Sequence, residues 1–540
     1  MTFSRTPFRI LVTDEVDQEG IALLQAVPEF RVDVVPTLPE AELLGRVGDY
    51  DAIVGRSATR ISEPLLRAAK RLRVVGRAGV GVDNVDMDAA TALGIAVINA
   101  PAGNTVAVAE LFFAVLIGLL RHVTRADQSM HEGRWERSHL LGREIKGRTL
   151  GVVGVGRIGG EVSVRARGFG MTLIGYDPYI AQDRFDALQV RRCATLDELI
   201  AACDILTVHT PLTDETRGMI GARELAALRP GAVVCNLARG GIVDEQALAE
   251  ALVSGHLAGA TVDAYTREPL RGDHPFRAAP HLLLTPHIGA STDQAQRNVA
   301  VDACAAVRDA LLNDEYSRSL NVAESGGDWQ ALQPAMRLVR RSAAAARALL
   351  ADRGARAISR VELRLGDELA RGRGPLLASA ALGALEGVVA EERLNVINAR
   401  GVARSRGVEL HYAEAGVPPH GRAVEVRVTA DGQEARVGGV AAIDAPPRFT
   451  RIGSFHVDVA PRGTLIVLSN RDVPGVIGRV GTALGAAGVN IAEYHQARLA
   501  QGAEALAVIT IDGTVSDEVR RTLLALPDVH SATVIPFGED

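Results

Sequence analysis

Short apolar, β-branched runs recur through residues 8–99, and helical spacing of apolar positions fills the gaps between them. The runs are "FRILVTD", "RVDVV", "DAIVGR", "LRVVGR" and "IAVINA". Strands alternating with helices over this length predict a parallel sheet covered on both faces. The same rhythm restarts at "RTLGVVGVG" and continues through "MTLIGYD", "DILTVHT", "GAVVCNLA", "LAGATVDA" and "HLLLTPH". Two consecutive doubly wound α/β units are therefore expected. A long apolar helix from about Val106 to about Met130 lies between them, and "STDQAQRNVAVDACAAVRDALLN" predicts another after the second.

The pattern changes at "NVAESGGDW". Residues 328–353 read as an Ala- and Arg-rich helix, followed by mixed α+β sequence with an Asp431-Gly432 hairpin signal. "DAPPRF" at 444–449 reads as a loop. The last 80 residues run strand "GTLIVLS", turn "NRDVPG", helix, strand "NIAEYHQAR", strand "ALAVITIDG", helix, strand "HSATVIP". That βαββαβ order predicts a small two-layer sandwich.

A chain of 540 residues is too long for one core, so two to four domains are expected. A net charge of −6 removes the electrostatic reason to expect nucleic acid or an anionic membrane as partner. Only Lys70 and Lys146 are lysines, which disfavours Schiff-base chemistry and leaves arginine to bind anions through its fixed fork. Cys193, Cys203, Cys235 and Cys304 show no paired spacing and the histidines form no HExxH, so neither disulfides nor a metal site are expected. The apolar run "LFFAVLIGLL" is too short to span a bilayer, and a strand beginning at Phe8 leaves no room for a signal peptide. A reduced, cytoplasmic protein is expected.

Gly154, Gly156 and Gly159 follow a strand and open a helix in the spacing G-x-G-x-x-G. The first glycine permits the turn, the second lets pyrophosphate approach the backbone, and the third allows close helix packing. Anions are favoured there by the unpaired N–H groups of a helix N-terminus. Asp177 ends the next strand 18 residues beyond Gly159, where a carboxylate accepts from ribose hydroxyls and repels a 2′-phosphate. NAD is the expected cofactor; the alternative is that Asp177 only opens a turn with Pro178. "GRAGVGVDN" at 76–84 lacks the third glycine and a following helix pattern, and reads as a loop.

Oxidation of a 2-hydroxy acid needs a base for the hydroxyl proton and a cation for the carboxylate and developing carbonyl. Strand ends of the second unit offer Arg239, Glu268 and His287, and ligands of open α/β sheets bind at such ends. His287 is the candidate acid/base, Glu268 orients its ring and favours imidazolium, and Arg239 clamps the carboxylate. Singly, each residue also fits an ordinary surface or structural role.

The segments "GVVGVGRIGGEV", "NLARGGIVDEQAL", "DAYTREPL" and "TPHIGAST" resemble the D-isomer-specific 2-hydroxyacid dehydrogenase family. With "GRSATRI", "VVGRAGVGVDNVD", "NAPAGNTVAVAEL" and "GRWERS", the resemblance covers residues 8–315 densely and is greatest to the long-form members. It implies oxidation of 3-phospho-D-glycerate to 3-phosphooxypyruvate, the first step of L-serine synthesis. The alternatives are reduction of 2-oxoglutarate, glyoxylate or hydroxypyruvate, or a non-catalytic NAD-sensing regulator. It also implies a Rossmann-like nucleotide domain inserted within a flavodoxin-like substrate domain. Residues 1–99 and 287–318 would form the substrate-binding domain, 100–286 the NAD-binding domain, 319–457 an intervening domain and 461–540 an ACT domain.

By the same resemblance, Arg157 and Ile158 contact the pyrophosphate, Thr210 lies near the nucleotide and Asp263 near the nicotinamide amide. Leu237, Gly289 and Ala290 join the cofactor set. Arg56, Ser57, Ala78, Gly79 and Asn104 match substrate-binding positions. Arg60, Arg77 and Arg137 are candidates for the substrate phosphate, Arg137 from a neighbouring subunit of a homodimer or homotetramer. This chain departs from common family residues at Val80, Leu237 and Tyr265. In the ACT-like unit, Asp472, read as starting a helix that has Pro474 in its first turn, and Asn490 match positions that hold L-serine in serine-sensitive members. Asn470 replaces an aromatic hydroxyl seen in some of them, and the alternative is a helix cap and a turn former.

Overall fold

The computed structural model describes residues 7–323, 328–388, 393–414 and 420–537. Five parallel strands, β1 (Phe8–Val12), β2 (Phe30–Val34), β3 (Ala52–Gly55), β4 (Val74–Arg77) and β5 (Ala96–Asn99), form the first sheet in the order β2-β1-β3-β4-β5. The central strand β3 and even the edge strand β5 are buried along their whole length, as expected where helices cover both sides. The second sheet holds β6 (Thr149–Val153), β7 (Thr172–Tyr176), β8 (Arg191–Arg192), β9 (Ile205–Val208), β10 (Val233–Asn236), β11 (Gly259–Val262) and β12 (Leu282–Leu284). All seven are parallel, in the order β12-β11-β10-β9-β6-β7-β8. These are the flavodoxin-like and Rossmann orders, and in each the strand order reverses beside the first strand. Ligands bind in that crevice, because the two flanking loops diverge there to opposite faces.

The helix Asp293–Asn313 follows the second sheet yet packs back on the first, where Val299, Ala303 and Val307 share a core with Ile10, Val12 and Val74. The expected single helix at Val106–Met130 is instead two, Thr105–Leu120 and Val123–His131, bent by 65°. The apolar run ends at Leu120, and His122 takes a left-handed conformation at φ 56° that breaks the helical hydrogen-bond ladder. Most of Thr105–Leu120 is core for the second sheet, with Phe112 and Leu116 fully buried. No single helix among the described residues is long and apolar enough to cross a membrane; only the bent pair together has that length and composition.

Beyond the helix Trp329–Asp352, the third sheet comprises β13 (Ile358–Leu365), β14 (Glu409–Tyr412), β15 (Ala423–Ala430), β16 (Gln433–Val440), β17 (Arg448–Ile452) and β18 (Phe455–Val459). Asp431 and Gly432 both have positive φ in the β15–β16 hairpin, the geometry a two-residue type I′ turn requires. The expected loop at 444–449 ends two residues early: Arg448 and Phe449 begin β17, and Phe449 is fully buried in the core. The fourth sheet is antiparallel, with β19 (Thr464–Arg471), β20 (Ile491–Arg498), β21 (Glu504–Ile511) and β22 (Val529–Pro536) in the order β20-β21-β19-β22.

All four cysteines are buried and unpaired. Burial pushes the Cys203, Cys235 and Cys304 thiols up to about 12, so none of these three is a nucleophile at neutral pH.

Candidate active site

The glycine turn leaves β6 and leads into the helix Arg157–Gly168. Gly154 has φ +89°, and a Cβ on Gly159 would lie 2.0 Å from the Gly154 carbonyl oxygen. A side chain at either position would therefore disrupt the turn. Gly156 caps the helix and has open space on its Cβ side, while Arg157 is exposed and Ile158 packs partly on the core. Asp177 follows β7; its Oδ2 accepts from Val155 N at 3.0 Å and its Oδ1 from Tyr179 N at 3.0 Å. The carboxylate thus both ties the glycine turn and forms the local turn with Pro178. Thr210, after β9, lies against Gly154, and its buried Oγ1 has no partner among the described residues. Cradle, helix terminus, carboxylate and orphaned hydroxyl together fit a dinucleotide. Leu237 points elsewhere, into the core that holds Phe112 and Val155.

Three loops bring the candidate catalytic groups together. His287 follows β12 with φ +55°, and its Nδ1 lies 2.9 and 2.8 Å from the two Glu268 carboxylate oxygens. Tyr265 N donates to Glu268 Oε1 at 3.0 Å, which fixes the carboxylate from behind. The hydrogen bond that His287 donates to Glu268 raises the His287 pKa against the opposing pull of burial, and the charge of Glu268 adds to it. Burial works to raise the Glu268 pKa, but the bonds from His287 and Tyr265 outweigh it and hold it low. The carboxylate thus favours the imidazolium form, and Nε2 makes no hydrogen bond among the described residues.

That arrangement has a signed consequence for pH. If His287 takes the proton in oxidation it must be neutral, and the acid limb is then expected above the ordinary histidine value of 6.5. Glu268→Gln removes the main upward influence and leaves burial, which lowers. The acid limb of kcat/KM for oxidation is expected to move to lower pH, and the alkaline limb for reduction to move the same way. Stopped-flow pH profiles of both directions check this; limbs that stay in place would detach Glu268 from the titrating group.

Asp263 is buried at the end of β11, and its carboxylate is fully engaged by the His287 loop. Oδ1 accepts from Thr285 Oγ1 at 2.6 Å and Ile288 N at 2.8 Å, and Oδ2 from Gly289 N at 2.9 Å. Tyr265 OH donates to Thr285 O at 2.7 Å, so two side chains from β11 and its loop pin both flanks of His287. The Ala290 carbonyl accepts from Gln296 Nε2 at 2.7 Å.

Cations gather opposite. Arg239, after β10, donates through Nε to Asp83 Oδ2 at 3.1 Å and through Nη1 to Ala238 O at 2.7 Å. Asp83 belongs to the loop after β4, so this pair joins the carboxyl ends of the two parallel sheets. Arg77, at the end of β4, donates to Ala78 O at 2.9 Å, and its buried Nε has no partner among the described residues. Burial, then the charges of Arg239 and Arg56, push the Arg77 guanidinium down to about 10. A half-buried guanidinium near two others, with no carboxylate bonded to it among the described residues, is suited to an anion. Ala78 and Gly79 are buried within this loop, and Asn104 caps the helix Thr105–Leu120 with its Oδ1 buried and without a partner among the described residues. Ser57 and Arg60 are exposed. Arg137 is apart from the cluster, on a surface pocket with Arg121, Trp135 and Leu141.

Asp14 and Asp83 have no place in the site as read from sequence. Asp14, at the first sheet's switch point, holds the Arg56 loop by accepting from Arg56 N at 3.0 Å, Thr59 N at 2.8 Å and Thr59 Oγ1 at 2.6 Å. A carboxylate ending the first strand in "VTDE" was the available signal. Asp83 carries none, since its partner is 156 residues away.

In the fourth unit, the helix expected to start at Asp472 starts at Val476, with Gly475 as its cap at φ +89°. Asp472 is drawn off instead: its Oδ2 accepts from Arg498 Nη1 and Gly502 N, both at 3.2 Å. Asn490 precedes β20 and donates to Asp512 Oδ2 at 2.6 Å.

Residues 113–289 match the family model for the NAD-binding domain of D-isomer-specific 2-hydroxyacid dehydrogenases. The D-3-phosphoglycerate dehydrogenase of Synechocystis sp. is 36% identical over 536 residues, covering 98% of this chain and 95% of its own. That of Methanocaldococcus jannaschii is 34% identical over 528 residues, covering 98% and 99%. Among solved structures, the NAD-dependent formate dehydrogenase of Staphylococcus aureus in complex with NAD superposes with a TM-score of 0.51 at 29% identity. It covers 57% of this chain and 96% of its own.

Proposed function

The chain belongs to the D-3-phosphoglycerate dehydrogenase group of the D-isomer-specific 2-hydroxyacid dehydrogenases, and on that premise we propose that it oxidises 3-phospho-D-glycerate to 3-phosphooxypyruvate with NAD, the first step of L-serine synthesis. The observation that carries this reading is the His287–Glu268 pair at 2.8 Å with Arg239 near enough to act on both by charge. Bound NAD would supply the hydride acceptor that oxidation at C2 of the acid requires. Gly154, Gly156, Gly159 and Arg157 would hold its pyrophosphate, Asp177 its ribose, and the unpartnered Thr210 hydroxyl would be available to it. Arg239 clamps the substrate carboxylate and polarises the forming carbonyl. His287 Nε2 takes the C2 hydroxyl proton, and Glu268 stabilises the imidazolium that results. Arg77 and Arg56 receive the phosphate. Asp263 and Tyr265 act through His287 by fixing its loop.

The division proposed is a substrate domain of residues 1–99 and 287–318 around a nucleotide domain of 100–286, followed by an intervening domain to 457 and an ACT domain from 461. The helix Asp293–Asn313 packing on the first sheet supports it. Exposed Val123, Met130, Trp135 and Leu141 support a homo-oligomer, because a monomer gains nothing by presenting them to water. A cytoplasmic location accords with four buried free thiols.

Steady-state NADH formation from 3-phospho-D-glycerate, D-glycerate and 2-hydroxyglutarate tests the assignment. The phosphorylated acid is expected to win in kcat/KM by about 10²-fold or more, the scale of a charge-assisted anion contact. Equal turnover of the unphosphorylated acids sinks it, and NADH binding without any turnover favours a regulator. Adding L-serine to the same assay tests the ACT-like unit, where a serine amino group would draw Asp472 away from Arg498.

A further inference from the structure

A carboxylate held in a guanidinium fork needs two adjacent N–H groups on one edge. In this structure each Arg239 nitrogen is already engaged or covered by the chain itself. Nε donates to Asp83 Oδ2 at 3.1 Å, and Nη1 to Ala238 O at 2.7 Å. Nη2 lies so close to Gly81 that a Cβ there would come within 2.0 Å of it. Asp83 and Gly81 share one loop of the first sheet, so both leave Arg239 together if the cleft opens or the loop shifts.

The loop around Asp83 is anchored without it. Asn84 Nδ2 donates to Arg56 O at 2.9 Å and Thr59 O at 2.7 Å, and Asp86 Oδ1 accepts from Ala89 N at 3.0 Å. Asp83 has no other hydrogen bond among the described residues, and its side chain is 64% exposed. Its carboxylate therefore does nothing for the fold that Asn84 and Asp86 do not already do.

We propose that Asp83 is a built-in competitor for the substrate carboxylate, occupying the Nε corner of the Arg239 fork until an incoming acid displaces it. This rests on the reading of Arg239 as the carboxylate clamp. A competitor inside the chain lowers the fraction of protein able to bind, and so raises the apparent dissociation constant of every carboxylate by one common factor. With Asp83 so exposed the pair is weak, which sets that factor at about two- to five-fold. The weakness is what makes the device workable, since a strong pair would shut the site. It also lessens the pull of Arg239, Arg77 and Arg56 on stray anions before substrate arrives.

Asp83→Asn and Asp83→Ala separate this from a positioning role. Both are expected to lower KM for 3-phospho-D-glycerate by about two- to five-fold. Both should tighten oxalate binding to the NADH complex, measured by calorimetry, by the same factor. NADH affinity and the circular dichroism spectrum certify the fold. A KM that rises while kcat falls would make Asp83 a support for Arg239, and values unchanged in both variants would remove it from the site; either overturns the proposal. Failure of the wild type to oxidise 3-phospho-D-glycerate would instead reject the substrate assignment, and the oxalate titration would still judge Asp83.

Discussion

Turnover of the His287→Asn variant is expected to fall by about 10³- to 10⁴-fold, the upper range for loss of a positioned acid/base, with NADH affinity nearly intact. Asparagine is the right replacement because residue 287 lies at φ +55°, a region that Asn tolerates and that costs most other residues about 1–2 kcal/mol. His287→Ala would add that strain and blur the result. The variant keeps Tyr265 N on Glu268 and Asp263 on the flanking backbone, so the loop has reason to stay in place. The glycine turn lies on a different strand and does not use the imidazole. Single-turnover rates with NADH fluorescence titration separate the two quantities. A rate within ten-fold of wild type would assign the proton to another group, and an equal loss of affinity would make His287 structural.

Arg239→Ala is expected to lower kcat/KM for 3-phospho-D-glycerate by about 10²- to 10³-fold, as removal of a charged clamp and polarising donor does. Both KM and kcat should move, because the guanidinium binds the carboxylate and meets the charge that develops on the carbonyl. Arg239→Lys should recover little. A point charge on a flexible stem replaces neither the planar fork nor its reach to two oxygens. Full recovery by lysine would mean that charge alone matters there. A loss confined to KM would leave carbonyl polarisation to other groups.

Much of the fold was legible in the chain because its signals are local. The β-branched runs, the glycine spacing after "TLGVV", Asp177 at the next strand end and Asp431-Gly432 at a hairpin each depend on neighbours a few residues away. The errors were also local, and each had a competing force. His122 broke an apolar helix by adopting a left-handed backbone. Asp472 made no helix cap because Arg498 and Gly502 offered it other donors. Phe449 turned a Pro-rich loop into strand because its ring was wanted in the core.

The alternation of strands and helices in the two parallel-sheet units, the dinucleotide turn and the choice of the three candidate catalytic side chains were legible in the sequence alone. Which carboxylate serves which partner was not. Glu268 turns to His287, Asp263 to the backbone at 288 and 289, Asp14 to the Arg56 loop and Asp83 across the cleft to Arg239. In composition these four acids are alike. Strand order brings their loops together over separations of 19 to 156 residues, and only the three-dimensional arrangement of the sheets decides which donors each one meets.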